Sequence, residues 1–285
     1  MTGILKSFLP HSLKSAVKTR LEQRAFERLP RQSCDTSALR GMTRTDLDQT
    51  LAAAPRDAEW AEITAATAPF GISQAPSGVN DGDRRAIWQL VRGLGAHSVL
   101  EVGTSIGAST IHFAQGLRQN AAESGQPVRM VSVDIEDMND PATARHVKLG
   151  LPHAPRAMLE RLGCDGFTRF EVADSTAWLQ TCREKFDLIF LDGDHGAGTV
   201  YRELPAALRL LNPGGVILLH DYFPDGKPLW SHKGALMGPF VAIRRLLAEG
   251  ADFTVLSLGG LEWETKRGTT LTTLALVVGG ARGQG

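Results

Sequence analysis

The chain has 285 residues, with 31 Lys and Arg balanced by 31 Asp and Glu. That length suits one α/β domain plus an extension, and the neutral balance excludes a nucleic-acid modifier working through a global positive field. No run approaches the roughly 18 apolar residues of a membrane span, and the opening stretch lacks the apolar core and cleavage site of a signal peptide.

Residues 1–31 carry seven basic groups against Glu22 and Glu27, and Ile4, Leu5, Phe8, Leu9, Leu13, Val17 and Leu21 recur at helical spacing. Such a helix packs on its own domain, serves as the arm of a homo-oligomer, or lies peripherally on an anionic membrane. Short helical pieces follow at Thr45–Ala54 and Asp57–Ala66, then a Gly/Pro/Ser-rich link and a helix at Asp83–Leu94. These features set residues 1–80 as a helical extension or cap and 81–285 as the binding domain. Cys34, Cys164 and Cys182 are scattered without C-x-x-C spacing, which reads as reduced thiols and places the protein in the cytoplasm.

From Ser98 onward, strands and helices alternate at the spacing of βαβ units. Strands are predicted at Ser98–Val102, Arg129–Val133, Thr168–Val172, Leu188–Leu191, Val216–Leu219, Phe253–Ser257 and Leu274–Val278. Helices are predicted at Ser109–Arg118, Pro155–Leu162, Ser175–Thr181, Ala197–Leu211 and Gly238–Glu249. The result is a doubly wound, Rossmann-like seven-stranded sheet with helices on both faces. The last two strands are joined by the polar, turn-rich GGLEWETKRGTT, which suits a hairpin and therefore an antiparallel final strand.

The first strand runs into VLEVGTSIGAST, where Gly103 and Gly107 remove the Cβ atoms that would keep a ligand off the backbone. The following helix aims its free N–H groups at the same place, and Glu101 is expected to put a carboxylate into the crevice. Ser105 stands where a dinucleotide fingerprint would have its second glycine, and no G-K-[ST] follows for a P-loop. The second strand ends in Asp134, placed to accept ribose hydroxyls. The third ends at Asp174 and Ser175, either of which also suits the N-cap of the next helix. The fourth delivers Asp192, Asp194 and His195 in a D-G-D-H run, and the fifth His220 and Asp221 in H-D-Y. Parallel neighbours bring Asp192 and Asp221 to one crevice, where two carboxylates require a cation or a shared proton. Mg²⁺ is the default among hard cations. The long loop after the fifth strand offers Trp230, His232 and Lys233 as an acceptor wall.

The E-x-G-x-x-x-G turn resembles motif I of the class I S-adenosylmethionine-dependent methyltransferases. The D-G-D-H and H-D-Y segments resemble the metal-dependent O-methyltransferases of the catechol type, and more closely the branch with macrocin O-methyltransferase-like and cephalosporin-hydroxylase-like proteins. The resemblance spans about Asp83 to Gly279. It implies S-adenosylmethionine as cofactor, held by Glu101, Gly103, Ser105, Gly107 and Ser109 on the first turn. Asp134 would take the ribose, Asp174 with Ser175 the adenine, and Asp192 would close the site. Asp192 and Asp221 match family metal ligands, and His195 stands where the catechol enzymes place a catalytic lysine. Tyr222 replaces their Asn, leaving His220 or Asp194 as the third ligand.

The activity expected is methyl transfer to a hydroxyl of a small polyhydroxylated or aromatic acceptor, with His195 as base, since imidazole ordinarily titrates near neutrality. The rivals are a metal-independent N- or O-methyltransferase using His195 and a silent binding protein of the same fold. A metal-dependent hydroxylase is disfavoured, because no two-His-one-carboxylate set is apparent along the chain.

Overall fold

The computed structural model describes residues 22–52, 57–75, 78–227, 237–266 and 268–280. The basic amphipathic helix expected at the N-terminus, up to residue 21, and the candidate acceptor residues Trp230, His232 and Lys233 lie outside them.

Among the described residues, a helical segment at 22–27 precedes α1 (Arg44–Ala52), α2 (Asp57–Thr67) and α3 (Asp81–Leu94), and the sheet follows. Then come β1 (Ser98–Val102), α4 (Thr110–Ser124), β2 (Arg129–Asp134), α5 (Pro155–Arg161), β3 (Thr168–Val172), α6 (Ser175–Thr181) and β4 (Phe186–Leu191). The chain closes with α7 (Ala197–Leu208), β5 (Leu211–Leu219), α8 (Gly238–Ala248), β6 (Thr254–Ser257) and β7 (Ala275–Val278). The seven strands lie in the order β3-β2-β1-β4-β5-β7-β6. All neighbours from β3 to β5 are parallel, while β7 runs antiparallel to both β5 and β6. This is the doubly wound, mostly parallel sheet with a reversed final strand that the spacing predicts.

Each central strand is apolar on both faces because both faces are covered. Val99, Leu188, Phe190, Val216 and Leu218 point into a cluster with α3 and α4. Leu100, Val102, Ile189, Leu191, Ile217 and Leu219 point into a second cluster with α7 and α8. Met42, Leu47, Phe70, Ile72 and Val79 join the first cluster, so the segment before α3 shares the core of the sheet.

β5 begins five residues earlier than the pattern indicates. The run Asn212–Gly215 bulges opposite Asp187, so that Phe186 pairs with Leu211 and Leu188 with Val216. Asp187 holds the bulge by accepting from Asn212 Nδ2 at 2.7 Å, and it accepts the backbone N–H groups of His97 and Ser98 at the mouth of β1. Three side-chain and backbone donors on one carboxylate lock three strands into register at their N-terminal ends. The opposite, C-terminal ends are left open, as the crevice rule for such sheets requires.

Candidate functional site

The turn between β1 and α4 carries Gly103, with φ +99°, and Ser105, with φ +49°. A side chain in that region of φ/ψ space is uncommon and is held by its surroundings. Here the Ser105 N–H donates to Asp134 Oδ2 at 3.0 Å, tying the turn to the end of β2. A β-carbon on Gly103 would collide with the backbone carbonyl of Asp192, and one on Gly107 would press on Met158 and Pro155 of α5. The glycines are thus fixed by packing: Gly103 by the neighbouring strand end and Gly107 by a helix.

Glu101 departs from expectation. Its carboxylate does not enter the crevice; it is fully buried beneath the turn. Ser109 Oγ donates to it at 2.5 Å, and Thr110 Oγ1 and Ser132 Oγ at 2.6 Å each. Strand alternation is the cause, since Glu101 shares the face of Val99, toward α4. Burial pushes its pKa up to about 7, against the pull of the three hydroxyls, which lower it. Ser109 is buried and engaged with Glu101, and neither Glu101, Gly107 nor Ser109 lines the cleft.

The open strand ends form a single cleft of about 1180 Å³. At one end stand Asp134, Ile135, Glu136, Asp174 and Ser175; at the other stand Asp83, Asp192, His195, His220 and Asp221; Gly103 and Ser105 lie on its wall. Asp134 keeps Oδ1 near the Glu136 N–H at 3.2 Å, and Ile135 beside it is 71% exposed, an apolar surface at the cleft edge. Asp174 caps α6 by accepting from the Ala177 N–H at 2.9 Å. The Ser175 hydroxyl donates to Glu203, whose burial pushes its carboxyl pKa up to about 7.

At the other end, donor atoms of Asp192, His195 and His220 all lie within 4.8 Å of one another. His220 Nδ1 is 2.8 Å from Asp192 Oδ1 and 3.6 Å from Asp221 Oδ1. His195 Nε2 is 3.7 Å from Asp192 Oδ1 and 3.5 Å from Asp221 Oδ2. Folding therefore assembles two imidazoles with two carboxylates, a set that was not apparent along the chain. Asp221 sits at φ +52°, and Thr273 Oγ1 donates to it at 3.4 Å. Asp194, by contrast, is spent on the chain: it accepts from the Gly196 N–H at 3.1 Å and from Thr199 Oγ1 at 2.6 Å, bracing the turn into α7. Burial alone would push the His220 pKa down, but Asp192, Asp83 and Asp221 outweigh it and raise it well above its usual range.

This donor set fits a divalent cation. The Nδ1 of His220 has no hydrogen-bond partner despite its closeness to Asp192, and buried Asp83 Oδ1 has none either. Unpaired buried polar atoms are costly, and Nδ1, aimed with Asp192 and Asp221 at one concave spot, marks a place for a charged ligand. Asp83 and Thr273 escaped the sequence reading. Asp83 sits in the first turn of α3, capped by Asn80, where an acidic residue needs no further explanation.

The backbone of His195 is set by α8. A β-carbon on Gly238 would overlap the His195 carbonyl oxygen and the Ala197 nitrogen, so the first residue of α8 lies directly against the D-G-D-H turn.

A seven-stranded sheet with β7 reversed, and a cleft over the β1 turn ending in Asp134, define the class I methyltransferase fold. Residues 100–222, which hold every strand end of the cleft from β1 to β5, match the family model described as a methyltransferase domain. Among solved structures, cofactor-bound Rv0187 from MTB is 24% identical, covers 82% of this chain and 94% of its own, and superposes with a TM-score of 0.51. The O-methyltransferase TomG from Streptomyces achromogenes, involved in tomaymycin synthesis and solved with SAM, is 19% identical, with coverages of 83% and 96% and a TM-score of 0.50. An O-methyltransferase from Bacillus cereus, solved with SAH, is 22% identical, with coverages of 83% and 97% and a TM-score of 0.50. No curated protein matches the chain.

Proposed function

We propose that the protein is an S-adenosylmethionine-dependent O-methyltransferase acting on a small polyhydroxylated or aromatic acceptor, assisted by a divalent cation. The observation that carries this reading is the continuity of one cleft from Asp134 and the glycine turn to the Asp192–His195–His220–Asp221 cluster. Bound S-adenosylmethionine would supply an electrophilic methyl on a sulfonium. A cation held by Asp192, Asp221 and His220 would lower the pKa of an acceptor hydroxyl and fix its position; Mg²⁺ suits the two carboxylates taken by themselves.

The chain's own groups do the rest. Asp134 accepts the ribose hydroxyls, and Ile135 covers one side of the adenine. Ser105 and Gly103 shape the wall without side chains in the way. Asp192 stands where the cofactor and acceptor halves of the cleft meet. His195 Nε2, facing both carboxylates, takes the acceptor proton. Residues up to 80 act as a cap, since Ile72, Ser73 and Ala75 line the cleft. The three cysteines are free thiols, which favours a cytoplasmic setting. Homo-oligomerisation through the N-terminal segment, and a peripheral membrane contact there, belong to the same reading.

Calorimetric titration of S-adenosylmethionine, with and without Mg²⁺ or Co²⁺, into the wild type and an Asp192→Ala variant tests it. Cofactor binding with a separate metal heat lost in the variant supports the reading. Cofactor binding with no signal from either Mg²⁺ or Co²⁺ moves the mechanism to His195 as sole base. No cofactor binding overturns it.

A further inference from the structure

We infer that Asp83 positions His220 as a nitrogen ligand, and that the cluster therefore prefers a divalent transition ion over Mg²⁺. The inference rests on the metal-assisted reading above and specifies the class of cation.

Asp83 is 1% exposed and belongs to α3, far in sequence from the strand ends that supply the cluster. Helix capping accounts for one side of its carboxylate only. Its N–H donates to Asn80 Oδ1 at 3.0 Å, and Asn80 Nδ2 donates to its Oδ2 at 2.6 Å. Oδ1 has no partner. Its neighbour Arg84 pairs with Asp81 instead. A buried carboxylate left half-satisfied is costly unless a charged group answers it. The titratable group beside this carboxylate is His220, whose Nε2 lies 3.7 Å from Asp83 Oδ2, the oxygen that also accepts from Asn80.

The His220 ring is therefore oriented edge by edge. Nε2 is turned to Asp83, Phe190 packs against the ring at 73° with centroids 6.3 Å apart, and Nδ1 is left aimed at Asp192 and Asp221. A carboxylate behind one imidazole nitrogen, with the other nitrogen free toward acidic ligands, is how histidine ligands are held and made more basic. The position of Asp83 is itself fixed. A β-carbon on the preceding Gly82 would strike the backbone of Glu264 and Thr265, so α3 is pressed onto that loop.

Imidazole decides the metal class. Mg²⁺ demands oxygen ligands and retains its water, whereas Mn²⁺, Co²⁺ and Zn²⁺ accept nitrogen readily. With His220 Nδ1 2.8 Å from Asp192 and 3.6 Å from Asp221, the donor set is mixed nitrogen and oxygen.

The test is Co²⁺ titration of the full chain, read by visible absorption and by calorimetry, with Mg²⁺ as competitor. The wild type should develop a ligand-field band and bind Co²⁺ at least tenfold more tightly than Mg²⁺. Asp83→Asn should weaken Co²⁺ ten- to hundredfold and shift the band, as expected for loss of an outer-shell carboxylate. His220→Asn should weaken it at least as much. The S-adenosylmethionine affinity of each variant serves as the check on folding. Mg²⁺ binding as tightly as Co²⁺ in the wild type overturns the inference without need of any variant. An unchanged Co²⁺ band in Asp83→Asn overturns the role of Asp83. A wild type that binds S-adenosylmethionine but neither metal overturns the inference and leaves the transferase standing. Failure to bind the cofactor itself overturns the underlying reading.

Discussion

Gly103 lies so close beneath Asp192 that a β-carbon on it would overlap the Asp192 carbonyl oxygen. The turn that walls the cleft at Gly103 and Ser105 thus rests, backbone on backbone, on the strand end that carries the acidic cluster. Gly103 also sits at φ +99°. Gly103→Ala meets both penalties, the left-handed conformation and the overlap, and is expected to cost at least about 2 kcal/mol. A fall of several degrees in Tm, together with loss of both cofactor and metal binding, checks it. Loss of cofactor binding alone would mean that the two halves are not mechanically joined.

Asp134 and Asp174 stand at the same end of the cleft but are held differently: Asp134 accepts the Ser105 N–H and Asp174 the Ala177 N–H. Asp174 is an N-cap, so Asp174→Ala should cost about 1 kcal/mol of stability. Asp134→Ala removes a carboxylate from the proposed ribose site. Charge-assisted hydrogen bonds contribute roughly 1.5–3 kcal/mol, which corresponds to a ten- to hundredfold rise in the S-adenosylmethionine Kd. Calorimetry on the two variants separates the roles, and equal Kd values would remove Asp134 from the ribose.

Glu101 gives a pH signature. Its pKa is raised from 4.5 to about 7 by burial. A raised folded-state pKa means that the contribution to stability is fully present below about 4.5 and is lost as pH rises through about 7. That loss amounts to roughly 3 kcal/mol. Glu101→Gln keeps the shape and removes the titration, so the difference between wild-type and variant unfolding free energies should change by about that amount between pH 4.5 and 8. Urea unfolding across that range measures it, and parallel profiles would mean that Glu101 stays ionised.

Glu101 and Asp83 mark where the chain stopped being legible from its residues alone. The bounds of β1, β3 and α6 follow from apolar runs ended by glycine or a capping residue, and the structure reproduces them. Asp192, His195 and Asp221 were readable as one site because parallel strands end together. Glu101 was misplaced because period-two alternation, and not proximity to the strand end, decides which face a side chain takes. The start of β5 was missed because Pro213, Gly214 and Gly215 read as a turn, and only the partner strand reveals a bulge. Asp83 was invisible for a different reason: its link to His220 is tertiary, and its local sequence is fully explained by helix capping.

His195 lies with its backbone carbonyl directly against Gly238, the first residue of α8. If His195 takes the acceptor proton, His195→Ala should lower the rate of methyl transfer by about 10²–10⁴-fold and leave S-adenosylmethionine affinity within about twofold, since Gly103 and Asp134 are untouched. Gly238→Ala leaves the imidazole in place chemically but forces the His195 carbonyl away from α8. It should therefore lower kcat by a smaller factor, because a displaced base transfers protons poorly, while cofactor Kd again holds. Radiolabelled methyl transfer to a panel of catechols and glycosides, paired with calorimetry, measures both. If His195→Ala turns over at the wild-type rate, the base lies elsewhere. If Gly238→Ala does so, the contact with α8 has no catalytic role, and the glycine is required for packing alone.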